Sequence, residues 1–436
     1  MTTPVAPTAA ERAWSAPTAT SPVRGVVTVP GSKSLTNRLL VLAALADGPS
    51  TLRAPLRSRD SLLMAAALRA LGVGIDDHGD DWAVTPAPLH GPAALDVGNA
   101  GTVARFLPAV AALADGVVTM DGDARVRERP LGPLLTALRT LGADIDGDAL
   151  PITIRGRGML AGGTVTIDAS QSSQLVSGLL LAAPRTRDGV TVVHAGPPVP
   201  SAPHLEMTVA CLRDAGATVE TAPNRWRVEP GPLRGADVTV EPDLSSASAF
   251  LAAAVATGGE VRLAGWPPTT TQPGRSTPAL LERMGATTSL GPDGLVVRGN
   301  PDGIRGVDAD LRDNPEVVPA VTALAVLAQT PSRLRGIAHL RVQETDRLRA
   351  LSEELGLLGA DVRETEDGLE ITPAPLHAPD RPLDPRADHR LAMAYAVVGL
   401  AVPGVTVDDV ATVGKTVPDF TARWSALVGG PAAPPP

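Results

Sequence analysis

Cysteine, metal-ligand patterns and long apolar runs are nearly absent from this chain. Cys211 is the only cysteine, which excludes a disulfide framework and a cysteine-based metal site. The seven histidines show no HxxxH spacing, and we expect neither a metal nor a cofactor. No run approaches the roughly 18 apolar residues that a membrane-spanning helix needs. The N-terminal residues lack the basic start and apolar core of a secretory signal, so we expect a cytoplasmic protein.

Positive charge is also scarce, and lysine is the rarest source of it. The formal net charge is −9, which argues against a nucleic-acid partner because such partners need a basic surface. Of the 38 Lys and Arg residues, only Lys33 and Lys415 are lysines. A GC-rich genome explains the arginine excess. The two lysines that remain then indicate a role that a guanidinium cannot fill, since an ammonium can give up a proton when its pKa is lowered.

What the chain does contain is a repeat. Its 436 residues, 44 % apolar and 19 % charged, are typical of a globular protein with two or three domains. An amphipathic helix, a turn glycine and a strand pair recur five times, with the glycines at Gly72, Gly142, Gly216, Gly285 and Gly359. Each glycine suits the position after a helix, where a positive φ is strain-free only without a Cβ. The alternation of helix and strand predicts an α/β fold.

We divide the chain into two lobes of three repeats each. The first lobe covers residues 30–241, and the second combines 22–29 with 242–429, because proline and glycine interrupt the pattern near both junctions. A sixth repeat is assembled from the C-terminal TVDDVATVGKTVPDF segment and the N-terminal VRGVVTVPGSKS strand. Residues 1–21 and 430–436, rich in proline and small residues, are predicted to be disordered tails.

Several segments place a polar turn directly before an apolar helix. They are VPGSKSLTNR, LDVGNAGTVAR, DASQSSQ, HLRVQETDR and DHRLAMAY, and DARVRER adds three arginines within five residues. Free N–H groups at a helix start bind anions, and nearby Lys, Arg or Ser side chains reinforce such a site. Each segment alone is equally typical of a helix cap, a tight turn without ligand or a solvated charged surface. Together they predict a basic pocket between the lobes for small molecules that carry phosphate or carboxylate.

The same segments, in this order, resemble a known family. GSKSLTNR, GNAGTVAR, DARVRERPLG, SSQ, ETDR, DHR and GKTVPDF are similar to the motifs of 3-phosphoshikimate 1-carboxyvinyltransferases (5-enolpyruvylshikimate-3-phosphate synthases). The resemblance implies a two-lobed α/β fold, an inside-out α/β barrel with three βαβαββ repeats in each lobe. It implies transfer of the enolpyruvyl group of phosphoenolpyruvate (PEP) to the 5-hydroxyl of shikimate 3-phosphate, without metal or cofactor. A cytoplasmic monomer whose lobes close on the two substrates is expected, with neither a nucleic acid nor a membrane as partner.

The resemblance also implies which residues act. The catalytic residues are expected to be Glu316, Lys33 and Glu344. The ligands of shikimate 3-phosphate are expected to be Lys33, Ser34, Arg38, Ser172, Ser173, Gln174, Ser201, Glu316 and Gln343. The ligands of PEP are expected to be Lys33, Asn99, Gly101, Arg125, Gln174, Glu344, Arg347, Arg390 and Lys415. These residue types fit the chemistry, because Arg binds carboxylate and phosphate bidentately and Lys can carry a proton.

Five positions depart from the family pattern, one of them Phe106, which stands where Pro is frequent. Glu316 stands where Asp is usual, which keeps the carboxylate but moves it by about one methylene. Gln343 replaces a frequent Lys, His339 a frequent Asn and His204 a frequent Tyr. The roles of these three residues therefore stay open.

Three other functions compete with this interpretation. A UDP-N-acetylglucosamine carboxyvinyltransferase shares the fold, but it usually carries a loop cysteine that this chain lacks. A catalytically silent binding protein of the same fold would not need the intact set of charged residues. An RNA-end cyclase is disfavoured by the acidic net charge.

Overall fold

A computed structural model describes residues 13–429 as a mixed α/β protein. Its backbone divides into two compact units, Pro30–Glu241 and residues 13–29 with 242–429. We call the first the inserted unit and the second the terminal unit, because the first interrupts the chain of the second. Each unit has its own hydrophobic core. No helix in residues 13–429 is long and apolar enough to cross a membrane.

The inserted unit contains three four-stranded sheets of one design. In hydrogen-bonded order, the strands of the first sheet are Asp237–Thr239, Ser50–Arg53, Asp81–Thr85 and Gly74–His78. Those of the second sheet are Ala93–Asp96, Asp115–Asp121, Ile152–Arg157 and Asp144–Asp146. Those of the third sheet are Gly163–Ile167, Val190–His194, Arg225–Val228 and Val219–Ala222. The first two strands of each sheet are parallel and the other pairs antiparallel. The helices are Lys33–Ala44, Arg59–Ala70, Gly101–Ala111, Ala124–Arg127, Gly132–Thr140, Gln174–Ala182 and Pro203–Asp214, with a 3-10 turn at Ala183–Arg185. This is the predicted βαβαββ order, with the first strand of one repeat supplied by the end of the unit.

The terminal unit contains two more sheets of the same design. They are Arg24–Val27, Glu260–Leu263, Gly294–Arg298 and Thr287–Gly291, and Asp308–Asp310, Ser332–Arg335, Leu369–Thr372 and Asp361–Glu364. Its helices are Leu244–Thr257, Thr277–Arg283, Val318–Val326, Arg347–Gly356, His389–Gly399 and Phe420–Gly429. Its 3-10 helices are Pro273–Ser276, Pro315–Val317, Ala338–Val342 and Val410–Lys415. Val318–Val326 is buried along its whole length, as expected for a helix that is apolar on all sides.

The turn glycines end helices as predicted. Gly72, Gly142, Gly216 and Gly285 each lie directly after the capping residue of a helix, with φ of +103°, +99°, +94° and +103°. A side chain at these angles would strain the backbone. Gly359 also has a positive φ, +88°, but lies one position further from its helix.

The third repeat of the terminal unit differs from the prediction. Strand Thr406–Val407 forms a parallel bridge to Leu383 and pairs antiparallel with Trp14–Ser15. The predicted partner segment, Arg24–Val27, instead pairs in parallel with Glu260–Leu263. The assembly of the sixth repeat from the VRGVVTVP strand is therefore wrong, because that strand completes the sheet of another repeat.

The predicted disordered tail of residues 1–21 is also wrong where it can be compared. The Trp14 ring lies edge-on against Phe420, with centroids 6.0 Å apart. Ala16 is buried, and its N–H donates to the carbonyl oxygen of Val405 at 3.0 Å. Strand pairing and aromatic packing thus hold residues 13–21 in place. The remaining predicted tail residues, 1–12 and 430–436, lie outside the described residues.

Candidate functional site

The inserted unit places Lys33 at the start of an apolar helix. Ser32 caps this helix, because its side-chain oxygen accepts a hydrogen bond from the N–H of Leu35 at 3.5 Å. The Lys33 Nζ lies 3.3 Å from a carboxylate oxygen of Asp60, and both side chains are largely buried. Asp60 belongs to the next helix, Arg59–Ala70. The carboxylate therefore orients the ammonium at the helix start.

Arg38 lies one helical turn after Ser34 and is only 1 % exposed. Its Nε donates to the Thr208 hydroxyl at 2.8 Å, Nη1 to the Ser34 carbonyl at 2.9 Å and Nη2 to the His204 carbonyl at 3.1 Å. No carboxylate within residues 13–429 pairs with this guanidinium. Burial lowers the pKa of Arg38 to about 10. A buried cation with neutral partners alone is costly, and it favours a bound anion nearby.

Two guanidinium groups converge on Gly101, the first residue of its helix. A Cβ at Gly101 would lie 2.6 Å from Nη2 of Arg129 and 2.9 Å from Nη1 of Arg105, so a side chain here would displace these guanidiniums. Arg129 is 6 % exposed, and its Nη1 donates to the Asn99 carbonyl at 3.1 Å. Arg105 Nη1 donates to Oε1 of Gln174 at 3.0 Å. Two buried guanidiniums thus lie at the start of this helix, where they can attract an anionic ligand.

The SSQ segment opens the helix Gln174–Ala182. Ser172 and Ser173 are both buried, and the Ser172 hydroxyl accepts a hydrogen bond from the N–H of Gln174 at 3.3 Å. Ser173 occupies the capping position but makes no side-chain cap bond. Ser201 has a φ of +56°, a strained conformation for a residue other than glycine that is frequent at functional sites. These serines lie at helix starts, where hydroxyls and free N–H groups suit a phosphate.

The three arginines of the DARVRER run have different surroundings. Arg125 is 36 % exposed in its side chain, and its Nη1 lies 2.6 Å from a carboxylate oxygen of Glu128. Arg127 is also exposed and pairs with Asp121 at 2.8 Å. Only Arg129 is buried. The predicted PEP ligand, Arg125, is therefore partly exposed, with its Nε buried.

The terminal unit contains a buried ion network. The Glu344 carboxylate accepts a hydrogen bond from Arg347 Nη2 at 2.9 Å and another from Lys415 Nζ at 2.9 Å. Arg347 Nε donates to Oδ2 of Asp388 at 2.7 Å. Burial alone would lower the pKa of Arg347, but attraction to the Asp388 and Glu344 carboxylates outweighs it and raises that pKa. Three predicted PEP residues are thus in direct contact through one connected network.

Arg390 joins this network through its backbone. Its N–H donates to Oδ1 of Asp388 at 2.9 Å, where Asp388 caps the helix His389–Gly399. The side chain of Arg390 is largely buried, and its Nη1 has no hydrogen-bond partner within residues 13–429. Buried donors rarely stay unpaired. Arg390 therefore offers a donor to a ligand.

Glu316 lies in the 3-10 helix Pro315–Val317, close enough for its charge to act on His339 and Arg347. Burial lowers the pKa of His339 to about 4, so the imidazole is neutral at physiological pH. The His339 Nε2 is buried and has no hydrogen-bond partner within residues 13–429. Gln343 directly follows the 3-10 helix Ala338–Val342.

Several residues in direct contact with predicted ligands were not themselves predicted. They include the charged residues Asp60, Arg105, Arg129 and Asp388. The last three lie inside the motif segments, so a search for charged residues within those segments would have found them. Asp60 carries no such signal, because its pairing with Lys33 joins two different helices.

Comparison with known proteins gives one family. The family model described as EPSP synthase (3-phosphoshikimate 1-carboxyvinyltransferase) matches residues 17–424. A 2.37 Å structure of EPSP synthase from Acinetobacter baumannii is similar over 95 % of this chain and 97 % of that chain, with a TM-score of 0.78 and 27 % identity. A further EPSP synthase structure from the same organism gives 94 % and 96 % coverage, a TM-score of 0.76 and 26 % identity.

A third structure supports the fold alone. The enolpyruvyl transferase NikO from Streptomyces tendae is similar over 94 % of this chain and 96 % of that chain, with a TM-score of 0.75 and 22 % identity. The predicted two-lobed α/β fold is thereby confirmed. The chain belongs to the EPSP synthase family and is a transferase of the shikimate pathway that moves the enolpyruvyl group of PEP to shikimate 3-phosphate.

Proposed function

We propose that the buried network of the terminal unit binds PEP. Arg347 and Lys415 supply positive charge, and Glu344 and Asp388 fix their positions. Arg390 adds the buried Nη1 donor that has no partner within residues 13–429. This spare donor beside a fixed network is the observation that carries the proposal, because the carboxylate and phosphate of PEP need several convergent donors.

Residues of the inserted unit are proposed as further ligands of PEP. The positive turn at Asn99 and Gly101 suits an anion, and Gln174 is fixed by Arg105. Arg125 is exposed enough to leave Glu128 for a ligand, because an exposed ion pair contributes little. We include Lys33 as well, since its ammonium is oriented by Asp60.

Shikimate 3-phosphate is proposed to bind through a second set of residues. From the inserted unit these are Lys33, Ser34, Arg38, Ser172, Ser173, Gln174 and Ser201; from the terminal unit they are Glu316 and Gln343. The buried charge of Arg38, surrounded by neutral oxygens, favours the phosphate. The serine hydroxyls at helix starts supply hydrogen bonds of the same kind.

The reaction requires one proton to be added and others to be removed. A proton goes to C3 of PEP, which leaves C2 electron-poor, and the 5-hydroxyl oxygen attacks C2 and loses its proton. Loss of a proton from C3 and of phosphate from C2 then restores the double bond in the product. We propose that Glu316 accepts the hydroxyl proton and that Lys33 and Glu344 move the proton at C3. Neighbouring cations stabilise the charge that develops.

Phosphate release from PEP tests this function. We expect release only when shikimate 3-phosphate is present, and a loss of about 100- to 10,000-fold in Lys33→Arg, because a fixed guanidinium cannot carry the proton. Lys415→Arg is the matched variant, because Lys415 is the only other lysine of the chain. It should raise the KM for PEP but keep most of kcat. The proposal would be overturned if phosphate were released only with UDP-N-acetylglucosamine as the acceptor. It would also be overturned if both substrates bound but no phosphate were released.

We also propose that the protein acts in the cytoplasm, because both substrates are multiply charged phosphate esters that do not cross a membrane unaided. The expected monomer stays a prediction. Light scattering coupled to size-exclusion chromatography measures it directly.

A further inference from the structure

The turn that leads into Asp388 has an unusual backbone. Arg386 and Ala387 have φ of +51° and +58°, so two consecutive residues other than glycine adopt the left-handed conformation. Such residues persist only when their surroundings hold them, and they concentrate at functional sites. Asp388 follows directly, with its N–H bonded to the Pro385 carbonyl at 2.8 Å. The strained residues therefore lie directly before the ion network that is proposed to bind PEP.

Glu354 holds the beginning of this turn. Its carboxylate is 2 % exposed and accepts hydrogen bonds from Nη1 and Nη2 of Arg381 at 2.9 and 3.0 Å. The same carboxylate accepts the backbone N–H of Asp384 at 3.0 Å and lies 3.5 Å from Arg386 Nη2. One buried side chain thus binds Arg381 and the backbone of Asp384 directly before the turn Pro385–Asp388, and lies close to Arg386 within it.

Arg347 holds the end of the turn through Asp388, at 2.7 Å. Arg347 and Glu354 both belong to the helix Arg347–Gly356, seven residues apart. Residues three, four or seven apart on a helix share one face. Arg347 and Glu354, on a single helix face, therefore bond the two ends of the strained turn.

We propose that Glu354 is a positioning residue for PEP binding. By holding the turn in its left-handed conformation, Glu354 sets the position of Asp388, and Asp388 sets Arg347 and the start of the helix that carries Arg390. No hydrogen bond or ion pair within residues 13–429 joins Glu354 to a proposed ligand residue. This inference rests on the proposed binding of PEP by Arg347 and Arg390.

Glu354→Gln tests the inference, since it keeps the shape and removes the charge. The expected result is a rise of about 10-fold in the KM for PEP, with the KM for shikimate 3-phosphate within twofold of wild type. Glu370→Gln is the control. Glu370 lies on the strand Leu369–Thr372 of the same unit, is 52 % exposed and lies 3.5 Å from Arg333, away from the strained turn. It should change neither KM by more than about twofold.

A second substitution separates positioning from simple loss of stability. Glycine adopts a positive φ without strain, so Ala387→Gly in the Glu354→Gln background should recover at least about threefold of the lost PEP affinity. Ala387→Gly alone should raise the unfolding temperature. This single variant keeps the test valid if Glu354→Gln does not fold. An unchanged or lower unfolding temperature, or no recovery in the double variant, would overturn the inference.

Arg390→Gln, measured alongside, separates this inference from the proposed function. If Arg390→Gln raises the KM for PEP and Glu354→Gln leaves it within twofold of wild type, only the positioning role is overturned. If neither variant changes that KM, binding of PEP at this network is overturned as well.

Discussion

The two units hold their buried cations in different ways. In the terminal unit, Arg347 and Lys415 pair with the carboxylates of Glu344 and Asp388. In the inserted unit, Arg38 and Arg129 donate to hydroxyl, carbonyl and amide oxygens. Neither of these two guanidiniums has a carboxylate partner within residues 13–429. Each unit has one exception: Lys33 of the inserted unit pairs with Asp60, and Arg390 of the terminal unit is buried with no partner for its Nη1 within residues 13–429.

The difference matters because one arrangement fixes the position of a cation, whereas the other leaves its charge available to a ligand. A cation paired with a buried carboxylate is held precisely, but its field is largely cancelled. A cation with neutral partners keeps its field, at a cost in stability that a bound anion offsets. The paired arrangement suits donors held in fixed positions for PEP, to which Arg390 adds a donor with no partner within residues 13–429. The arrangement with neutral partners suits attraction of the phosphate of shikimate 3-phosphate.

Arg347→Gln is expected to have the largest effect. It leaves Glu344 and Asp388 buried with one cation fewer, and breaking a buried ion pair costs about 3–5 kcal/mol. We expect the free energy of unfolding to fall by that amount and kcat/KM for PEP to fall about 100- to 1000-fold. Urea unfolding and phosphate-release kinetics measure the two effects. Wild-type stability in this variant would contradict the network.

Arg38→Met should have the opposite effect on stability. Because burial already lowers the pKa of Arg38 to about 10, its charge is disfavoured in the folded state, and an apolar replacement should leave stability unchanged or raise it. Binding of shikimate 3-phosphate should weaken by about 10- to 100-fold. Calorimetric titration measures the affinity, with Arg53→Met, an exposed arginine, as control. Equal affinity in both variants would remove Arg38 from the site.

We expect the buried ring of His339 to make the free energy of unfolding depend on pH. Burial lowers its folded pKa from 6.5 to about 4, so the neutral ring favours folding above pH 6.5. That contribution, roughly 3 kcal/mol, is lost as the pH falls from 6.5 through 4. The difference in unfolding free energy between wild type and His339→Gln should shrink over this range. Parallel curves for the two proteins would show that His339 is not buried as described.

Arg125→Gln should have the smallest effect on stability. Its pair with Glu128 is exposed, so the free energy of unfolding should change by no more than about 0.5 kcal/mol. We nevertheless expect the KM for PEP to rise about 10-fold, from loss of a charged hydrogen bond. Arg127→Gln, the exposed neighbour paired with Asp121, should change neither quantity. The same KM in both variants would show that Arg125 is not a ligand.

Much of the fold could be predicted because its repeat is marked by glycine. The helix ends at Gly72 and Gly142 follow from the one residue type that tolerates their φ. The sixth repeat could not be predicted, since Trp14–Ser15 and Thr406–Val407 are two-residue strands. Strands that short have no alternation to detect.

The site was predictable in its charged residues but not in their partners. Lys33 and Arg347 lie in recognisable turn-and-helix segments, whereas Asp60 is paired with Lys33 only by the packing of two helices. Arg125 and Arg129 belong to one run of arginines, yet one is exposed and the other buried. Sequence order alone does not distinguish such neighbours, because burial depends on the tertiary contacts of each side chain.

Two double-mutant cycles on kcat/KM for PEP test the central contrast most directly. Asp388→Asn and Lys415→Gln lie at opposite ends of one network, joined through Arg347 and Glu344, and we predict a coupling energy of about 0.5–3 kcal/mol. Arg38 and Arg129 share no hydrogen-bond partner within residues 13–429, so the effects of Arg38→Met and Arg129→Met should add to within about 0.5 kcal/mol. Additive effects in the first cycle, or strong coupling in the second, would contradict the account.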